Sequence, residues 1–298
     1  MGEVFIGSEA IAGESLTEYQ LRRWYRTIFR DVYVPRWYEP SLDDRTLGAW
    51  LWSRRRAVIA GVAASALHGA QWVGADTSIE LVAKSARPQV GLLVRNESLV
   101  RNESLGADEV TQATLPKVTL PVTSIVRTAF DLGRHLPRGQ ALARLDALMR
   151  ATPFSCEDVS GLAKRHPGAR GLRRLRDVLH LVDGGAASPK ESWLRLLFID
   201  AGLPKPTTQI PVHQGWRLIG VLDMGWEDYM VAVEYDGDQH RTDRRQFVKD
   251  IDRLASIQDQ GWIVIRVVAE HRPDDIVGRV YQALTRRGYR RDRRKRAA

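Results

Sequence analysis

The chain has 298 residues, of which 27% are charged and 44% hydrophobic, and it carries a net charge of +9. This length and balance are those of a soluble globular protein with two or three domains that each bury a core, and they exclude a disordered or fibrous chain. Cys156 is the single cysteine, which excludes an internal disulfide and a CxxC zinc site, and no stretch approaches the ~18 uninterrupted apolar residues of a membrane span.

The N-terminal MGEVFIGSEA has neither a basic start nor a long apolar core, so no signal peptide is expected. Together with the lone cysteine this points to a reducing, cytoplasmic setting. Ser8–Ala12 read as a short helical patch broken by Gly13. TEYQ, Thr17–Gln20, has capping-box spacing and opens a helix through LRRWYRTI. FRDVYVP alternates like a strand and stops at Pro35. Helix, turn, helix and β wing is the order of a small DNA-reading module, and also of many plain α+β units.

From Arg45 to Gly69 two helices are expected, the second being AVIAGVAASALHG, with His68 as a capping or core histidine. SIELVAK and VGLLVR read as strands. LVRNES at Leu93–Ser98 is repeated at Leu99–Ser104. A six-residue insertion keeps a strand's faces in phase, so a tolerated duplication in a hairpin is expected. Its two N-x-S triplets match glycosylation acceptors, which a cytoplasmic setting makes irrelevant. VTSIVRTAFDLGRH and the segments through GLRRLRDVLHLV read as amphipathic helices, and DGGAAS (Asp183–Ser188) is the expected interdomain linker.

Beyond it, Ser188 and Pro189 cap a helix, KESWLRLLFIDAGL, stopped by Gly202 and Pro204. TTQIPV, RLIGVLD and YMVAVEYD read as strands, the last two joined by a connection short enough for a hairpin. A long helix over TDRRQFVKDIDRLASIQDQ places Phe247, Ile251, Leu254 and Ala255 on one face. WIVIRVV is a final strand, apolar enough to be buried on both faces. The order is α-β-β-β-α-β, an antiparallel meander followed by a helical crossover. The tail RRGYRRDRRKR, residues 286–296, has eight cations in eleven residues. It either neutralises phosphates without reading sequence or solubilises a free end. The net charge points to nucleic acid, discounted because 38 of the 45 basic residues are Arg, a bias that codon usage also produces.

Asp223 and Glu234 fall at the ends of paired strands, and Glu234 and Asp236 share a face. Like charges this close raise one another's pKa, and a divalent cation removes the penalty; hard oxygen ligands favour Mg²⁺ or Mn²⁺. Such an ion polarises a phosphodiester and stabilises the departing oxygen. Surface ion pairs are the alternative for any one acid, but for the set, on strands this apolar, the metal reading is preferred. Taking DGD as the D-x-D of a sugar-nucleotide transferase fails for want of a Gly-rich turn.

Residues Ser188–His271 resemble the endonuclease-like domain family related to very-short-patch-repair endonuclease, in the PD-(D/E)XK nuclease superfamily. The resemblance lies in ESWLRLLFIDAGLPKP, the Asp of VLD, VEYDGDQH, Asp250 with Arg253, and GWIVIRV. It implies a restriction-endonuclease-like core with Asp223 as the metal-binding aspartate, Glu234 as the acid of the motif and Glu191 as the helical glutamate completing the metal shell. Position 236 departs from the family, holding Asp where the motif has lysine. His240, Lys249 or Lys190 then supplies the missing group, or the site binds metal and DNA without cutting. Arg253 is expected on a phosphate, or in an ion pair with Asp250 or Glu234. LTEYQLRRWYRTIFRDVYVP, AVIAGVAASALHGA and VTSIVRTAFDLGRH are similar to the winged-helix and following region of abortive-infection (AbiEi-type) antitoxins. That similarity implies a recognition helix carrying Arg22, Arg23 and Arg26, all able to meet phosphates.

The expected organisation is a winged-helix-like DNA-binding module (1–36), an α+β antitoxin-like middle region (37–182), a linker (183–188), an α/β endonuclease-like domain (189–285) and a basic tail (286–298). The expected function is a metal-dependent DNA endonuclease or nickase. The competing expectation is an inactive, antitoxin-like DNA-binding regulator on a nuclease scaffold. DNA is the expected partner, with no membrane association; the sequence leaves the oligomeric state open.

Overall fold

The computed structural model describes residues 4–84, 89–99, 108–116, 118–237 and 244–290. The chain is of mixed α/β class and divides into two compact units, Met1–Val182 and Asp183–Ala298. Among the described residues no helix is long and apolar enough to cross a membrane.

Unit 1 begins with β1 (Phe5–Ile6), α1 (Gly7–Ala12), α2 (Glu18–Trp24), β2 (Tyr25–Phe29), β3 (Val32–Pro35) and α3 (Leu42–Trp52), with the strands ordered β1-β3-β2. Thr17 and Gln20 form the capping box of α2. The helix ends earlier than its sequence suggests. The aromatic and β-branched run Tyr25–Phe29 pairs antiparallel with β3 instead, where cross-strand packing rewards such residues. FRDVYVP is accordingly two strands with a turn between them, and Asp31 in that turn has φ 63°. Arg26 therefore lies on β2 and not on a helix with Arg22 and Arg23.

A second sheet, ordered β6-β5-β4-β8-β7, contains β4 (Val58–Ala60), β5 (Ile79–Val82), β6 (Leu92–Arg95), β7 (Val110–Leu115) and β8 (Val118–Thr123). Val58–Ala60, expected within a helix, are its central strand, fully enclosed between β5 and β8. α4 (Gly61–Leu67) starts only at Gly61, whose φ of 60° turns the chain out of the sheet at little cost for a glycine. β5 and β6 pair in parallel, so the first LVRNES copy is not part of a hairpin with β5. Most of the second copy lies outside the described residues. One core cluster joins Val4, Ile6 and Val32 to Ala49, Ile59, Ile79 and Leu120, so residues 1–36 share their core with the second sheet. α5 (Ile125–His135) packs against α4, α6 (Arg138–Ala151), α7 (Cys156–Arg165) and α8 (Leu172–Leu179).

Unit 2 runs α9 (Pro189–Asp200), β9 (Thr207–Gln214), β10 (Arg217–Trp226), a single 3₁₀ turn (Glu227–Tyr229), β11 (Val231–Tyr235), α10 (Arg244–Asp259), β12 (Ile263–Val267) and α11 (Pro273–Arg286). α11 is an addition to the elements expected from sequence. The sheet order is β12-β11-β10-β9, antiparallel except that β12 runs parallel to β11. Leu194 and Phe198 of α9 share one core with Met224, Val233, Val267 and the α11 residues Ile276 and Val280. Ile257 of α10 shares another with Leu222, Ala232 and Ile210. The DGGAAS stretch is packed into this unit: the Thr208 hydroxyl donates to Asp183 Oδ1 at 3.1 Å.

Two expectations for this unit change. β12 is an edge strand and not doubly buried, and Arg266 on it is exposed. On α10 Ile251 is 48% exposed, and the residues that turn inward are Asp250, Arg253, Leu254 and Ile257, spaced i, i+3, i+4, i+7. The inward stripe of the helix thus carries a cation and an acid among its apolar residues. Gly225 pairs with Ala232, and a Cβ there would stand 2.5 Å from the Val231 carbonyl oxygen. Gly225→Ala is expected to lower stability by about 1–3 kcal/mol, read as a lower urea midpoint, because β10 and β11 must part to admit the methyl group.

Candidate active site

β10 and β11 bring two acids face to face. Their last paired residues are Met224 and Val233, and one step further along an antiparallel ladder stand Asp223 and Glu234. Asp223 Oδ2 accepts the Tyr235 N–H at 2.9 Å, which ties the two strand ends together through a side chain. Burial pushes the Asp223 carboxyl up to about 7; the negative charges of Glu191 and Glu234 add to this, while the Tyr235 N–H and Arg253 oppose it. A cation close to such a carboxylate would oppose the rise that burial and neighbouring acids produce.

Glu234 itself is buried and gives both oxygens to Arg253, at 2.8 Å from Nη1 and 3.0 Å from Nη2. Arg253 also lies 4.0 Å from Asp250, and the Glu234 pairing raises its own pKa. Asp236 is ion-paired with Arg266, and its N–H donates to the Val267 carbonyl at 2.8 Å. Glu191 is buried at the start of α9, where Oε1 accepts the Ser188 hydroxyl at 2.9 Å and Oε2 accepts the Ala187 N–H at 2.8 Å. Its charge reaches Asp223 while its oxygens are engaged in the helix cap. Lys190 Nζ sits 5.8 Å from the centre of the Tyr235 ring, Lys249 is exposed on α10, and His240 lies outside the described residues.

These strands and α10 enclose a cleft of 510 Å³ lined by Asp223, Glu234, Tyr235, Asp236, Arg253 and Arg266 among others. Asp223 and Glu234 offer the hard oxygen donors that suit Mg²⁺ or Mn²⁺. Among the described residues no three His, Cys, Asp or Glu side chains form a ready metal-holding group; Arg253 holds Glu234 in place of one. Arg266 was not legible as a site residue, since its place comes from the parallel register Glu234↔Arg266 between segments far apart in sequence. Arg253→Gln removes the cation that lowers Asp223. The Asp223 carboxyl is expected to titrate higher than in the wild type by ¹³C NMR, and an unchanged or lower value would show that Arg253 does not act on it.

Unit 1 holds a second concentration of charge. Arg127, 1% exposed on α5, pairs with Glu109 at 2.5 Å, Glu97 at 2.7 Å and Asp131 at 3.0 Å. Arg134, two turns on, joins Asp131 at 2.8 Å and also Glu97. Both guanidinium groups lie over the Phe130 ring, at 5.5 and 4.8 Å, and His166 Nε2 stands 2.6 Å from Glu109. Close by, Glu80 bonds Arg95 at 2.8 Å and faces His135 at 3.1 Å. Burial works to raise the Glu80 carboxyl, but the bonds to His135 and Arg95 outweigh it and hold it below its ordinary value. The sequence signal was the spacing of Arg127, Asp131 and Arg134 at i, i+4 and i+7, which puts all three on one face of an otherwise amphipathic helix.

Of the three arginines expected to meet DNA, the Arg22 side chain is 82% exposed and pairs with Glu18 on its own helix, at 3.1 Å. Arg23 lies 5.0 Å from the Trp24 ring. Arg26 is tied to Glu39 and the Tyr38 carbonyl, each at 2.9 Å, so it is the least free to reach a phosphate. No family model matches the chain. It is 29% identical, over 275 residues, to the uncharacterized proteins MT2308 and Rv2248 of Mycobacterium tuberculosis, from strains CDC 1551 / Oshkosh and ATCC 25618 / H37Rv respectively. The match covers 89% of this chain and 93% of each relative, so these mycobacterial proteins resemble it across both units.

Proposed function

We propose that unit 2 is a metal-dependent DNA endonuclease or nickase, positioned by the N-terminal elements of unit 1. The observation that carries this reading is Asp223, half-buried across from Glu234 in an open cleft, its carboxyl raised to about 7 by desolvation and acidic neighbours. The helix, three-strand, helix, strand order of the unit supports a restriction-endonuclease-like core. Asp223 and Glu234 would hold Mg²⁺ or Mn²⁺, which would supply a Lewis acid for the phosphodiester. Arg253, once it leaves Glu234, is within the same cleft to meet a phosphate oxygen. Arg266 balances Asp236 where the family motif has lysine, and His240 is the proposed proton acceptor. Arg22 and Arg23 on α2 are the proposed phosphate contacts of the DNA-binding module.

A second reading, a non-catalytic DNA-binding regulator, is favoured by a specific observation. Glu234, Asp236 and Glu191 each already have a bonded partner in Arg253, Arg266 and the α9 cap. Incubating supercoiled plasmid with the protein and Mg²⁺ or Mn²⁺ separates the two. Nicked or linear product that depends on the metal is the outcome expected for the nuclease. Retarded but intact DNA under both metals would favour the regulator and reject the nuclease.

A further inference from the structure

We propose that unit 1 carries a stacking platform for single-stranded nucleic acid, built where the end of α2 meets the end of the β2–β3 ladder. Strand pairing brings its parts together. Tyr25 pairs with Pro35, and one step beyond, the Arg36 N–H donates to the Trp24 carbonyl at 2.9 Å. The Arg36 side chain then reaches back to α2, where Nη2 donates to the Arg22 carbonyl at 3.0 Å. Two segments distant in sequence thus form one patch. On it Trp24 is 58% and Trp37 79% exposed, and Tyr19, one turn before Arg23 on α2, is exposed as well. Each indole is braced without being covered. The Arg23 guanidinium lies 5.0 Å from the centre of the Trp24 ring. The Trp37 ring stands T-shaped against Tyr38, ring centres 5.7 Å apart, and the Tyr38 hydroxyl is fixed on Asp44 at 2.7 Å. Rings held in this way lose little freedom when a partner stacks on them.

Side-chain chemistry and charge select the partner. Between residues 4 and 40 the exposed large hydrophobic side chains are Tyr19, Trp24 and Trp37, with no Leu, Ile, Val or Phe among them. A face that enters a lipid surface carries Leu and Phe beside Trp, whereas bare aromatic faces are what unpaired bases stack on. Arg22 pairs with Glu18 and Arg26 with Glu39, while no ion pair is found for Arg23 or Arg36 among the described residues. This local surplus, on a chain of net charge +9, draws phosphates to the rings. In a duplex the base faces are stacked on one another, so duplex DNA meets the arginines and leaves the indoles idle. A single strand engages both. The inference deepens the reading of α2 as a phosphate-contacting element and needs nothing from the cleft of unit 2.

Binding to the full-length protein, with EDTA present, is read from the fluorescence anisotropy of labelled oligothymidylate, oligouridylate, an abasic strand and a duplex of one length. The abasic strand has the phosphates without the bases. At least one base-bearing strand is expected to bind about tenfold more tightly than the abasic strand. Trp24→Ala with Trp37→Ala is expected to remove that advantage and to change duplex affinity less than about twofold. Phe at both positions, which keeps a stacking face, is expected to restore most of it. Arg23→Gln with Arg36→Gln is expected to weaken every probe and to lower the slope of log affinity against log salt by about 1.4 for single strands. Base-bearing and abasic strands bound equally, or affinities indifferent to the tryptophan substitutions, would overturn the proposal; an arginine effect alone would leave the phosphate contacts of α2 standing, and the absence of both effects would remove those too. Binding to phosphatidylserine vesicles, or self-association, that the tryptophan substitutions abolish while the single-strand advantage is absent would assign the patch to lipid or to a second copy and overturn it.

Discussion

Asp223→Asn is expected to reduce metal-dependent DNA cleavage by about 100-fold or more and, in the same protein, to raise the stability of the metal-free fold at pH 8. The two effects have one cause. Asp223 is half-buried across from Glu234 and feels the charge of Glu191, and its carboxyl is pushed from 3.8 to about 7. Such a displacement corresponds to about 4 kcal/mol, at ~1.36 kcal/mol per pKa unit, as an order of magnitude. Below 3.8 the group is neutral in both the folded and the unfolded chain and costs nothing. As pH rises from 3.8 the unfolded chain loses its proton first, so the folded state binds more protons and stability falls with pH. The penalty is complete above about 7.

Asparagine keeps an oxygen to accept the Tyr235 N–H and carries no charge. Its gain over the wild type is therefore expected to be absent near pH 4 and to reach about 1–4 kcal/mol at pH 8. Urea unfolding at the two pH values measures it. A variant that is equally destabilised at both would show that Asp223 carries no electrostatic strain.

The second large effect belongs to unit 1. Arg127→Ala is expected to destabilise the protein by about 3–5 kcal/mol, the cost of removing one partner from a buried ionic cluster. Arg127 is 1% exposed, as is Asp131, and Glu109 is 2% exposed. Truncation takes one cation from two enclosed carboxylates, leaving Asp131 to Arg134 and Glu109 to His166, and removes a guanidinium from the face of Phe130. Chemical denaturation at pH 7 gives the value, and a midpoint within about 0.5 kcal/mol of wild type, the range of ordinary surface changes, would mean the cluster carries no structural weight. Adding Glu109→Gln to Arg127→Ala is expected to recover part of the loss, because a neutral amide no longer leaves an uncompensated charge.

How much of this was legible in sequence depended on the range of the interactions involved. The capping box of Thr17 and Gln20 and the cap at Ser188 were readable because a cap is local. The mixed α/β class was readable from alternating runs of different period. β4 was missed because Val58–Ala60 are only three residues, running directly into a small-residue helix, and only the flanking strands make them a strand. Arg26 was misplaced for a similar reason: the helix opened by the capping box was carried past Trp24 into a run that pairs with β3.

In unit 2 the facing of Asp223 and Glu234 was readable because a short connection fixes the register of two adjacent strands. The partners of those acids were not. Arg253 reaches Glu234 across α10, and Arg266 reaches Asp236 from β12. Of the expected apolar face of α10, Leu254 turns inward while Ile251 and Ala255 are exposed, the Phe247 side chain lies outside the described side chains, and the inward stripe that ends at Ile257 includes Arg253. Tertiary pairing, not local pattern, places both arginines.

Titration of metal-free protein with Mn²⁺ at pH 7.5, followed by electron paramagnetic resonance of the free ion, tests most directly whether Asp223 and Glu234 form a cation site. Wild-type protein is expected to take up Mn²⁺ saturably and to gain thermal stability as it does. Asp223→Asn is expected to take up at least tenfold less at the same free concentration, a difference of ~1.4 kcal/mol. Uptake that is absent from the wild type, or equal in the two proteins, would contradict the site.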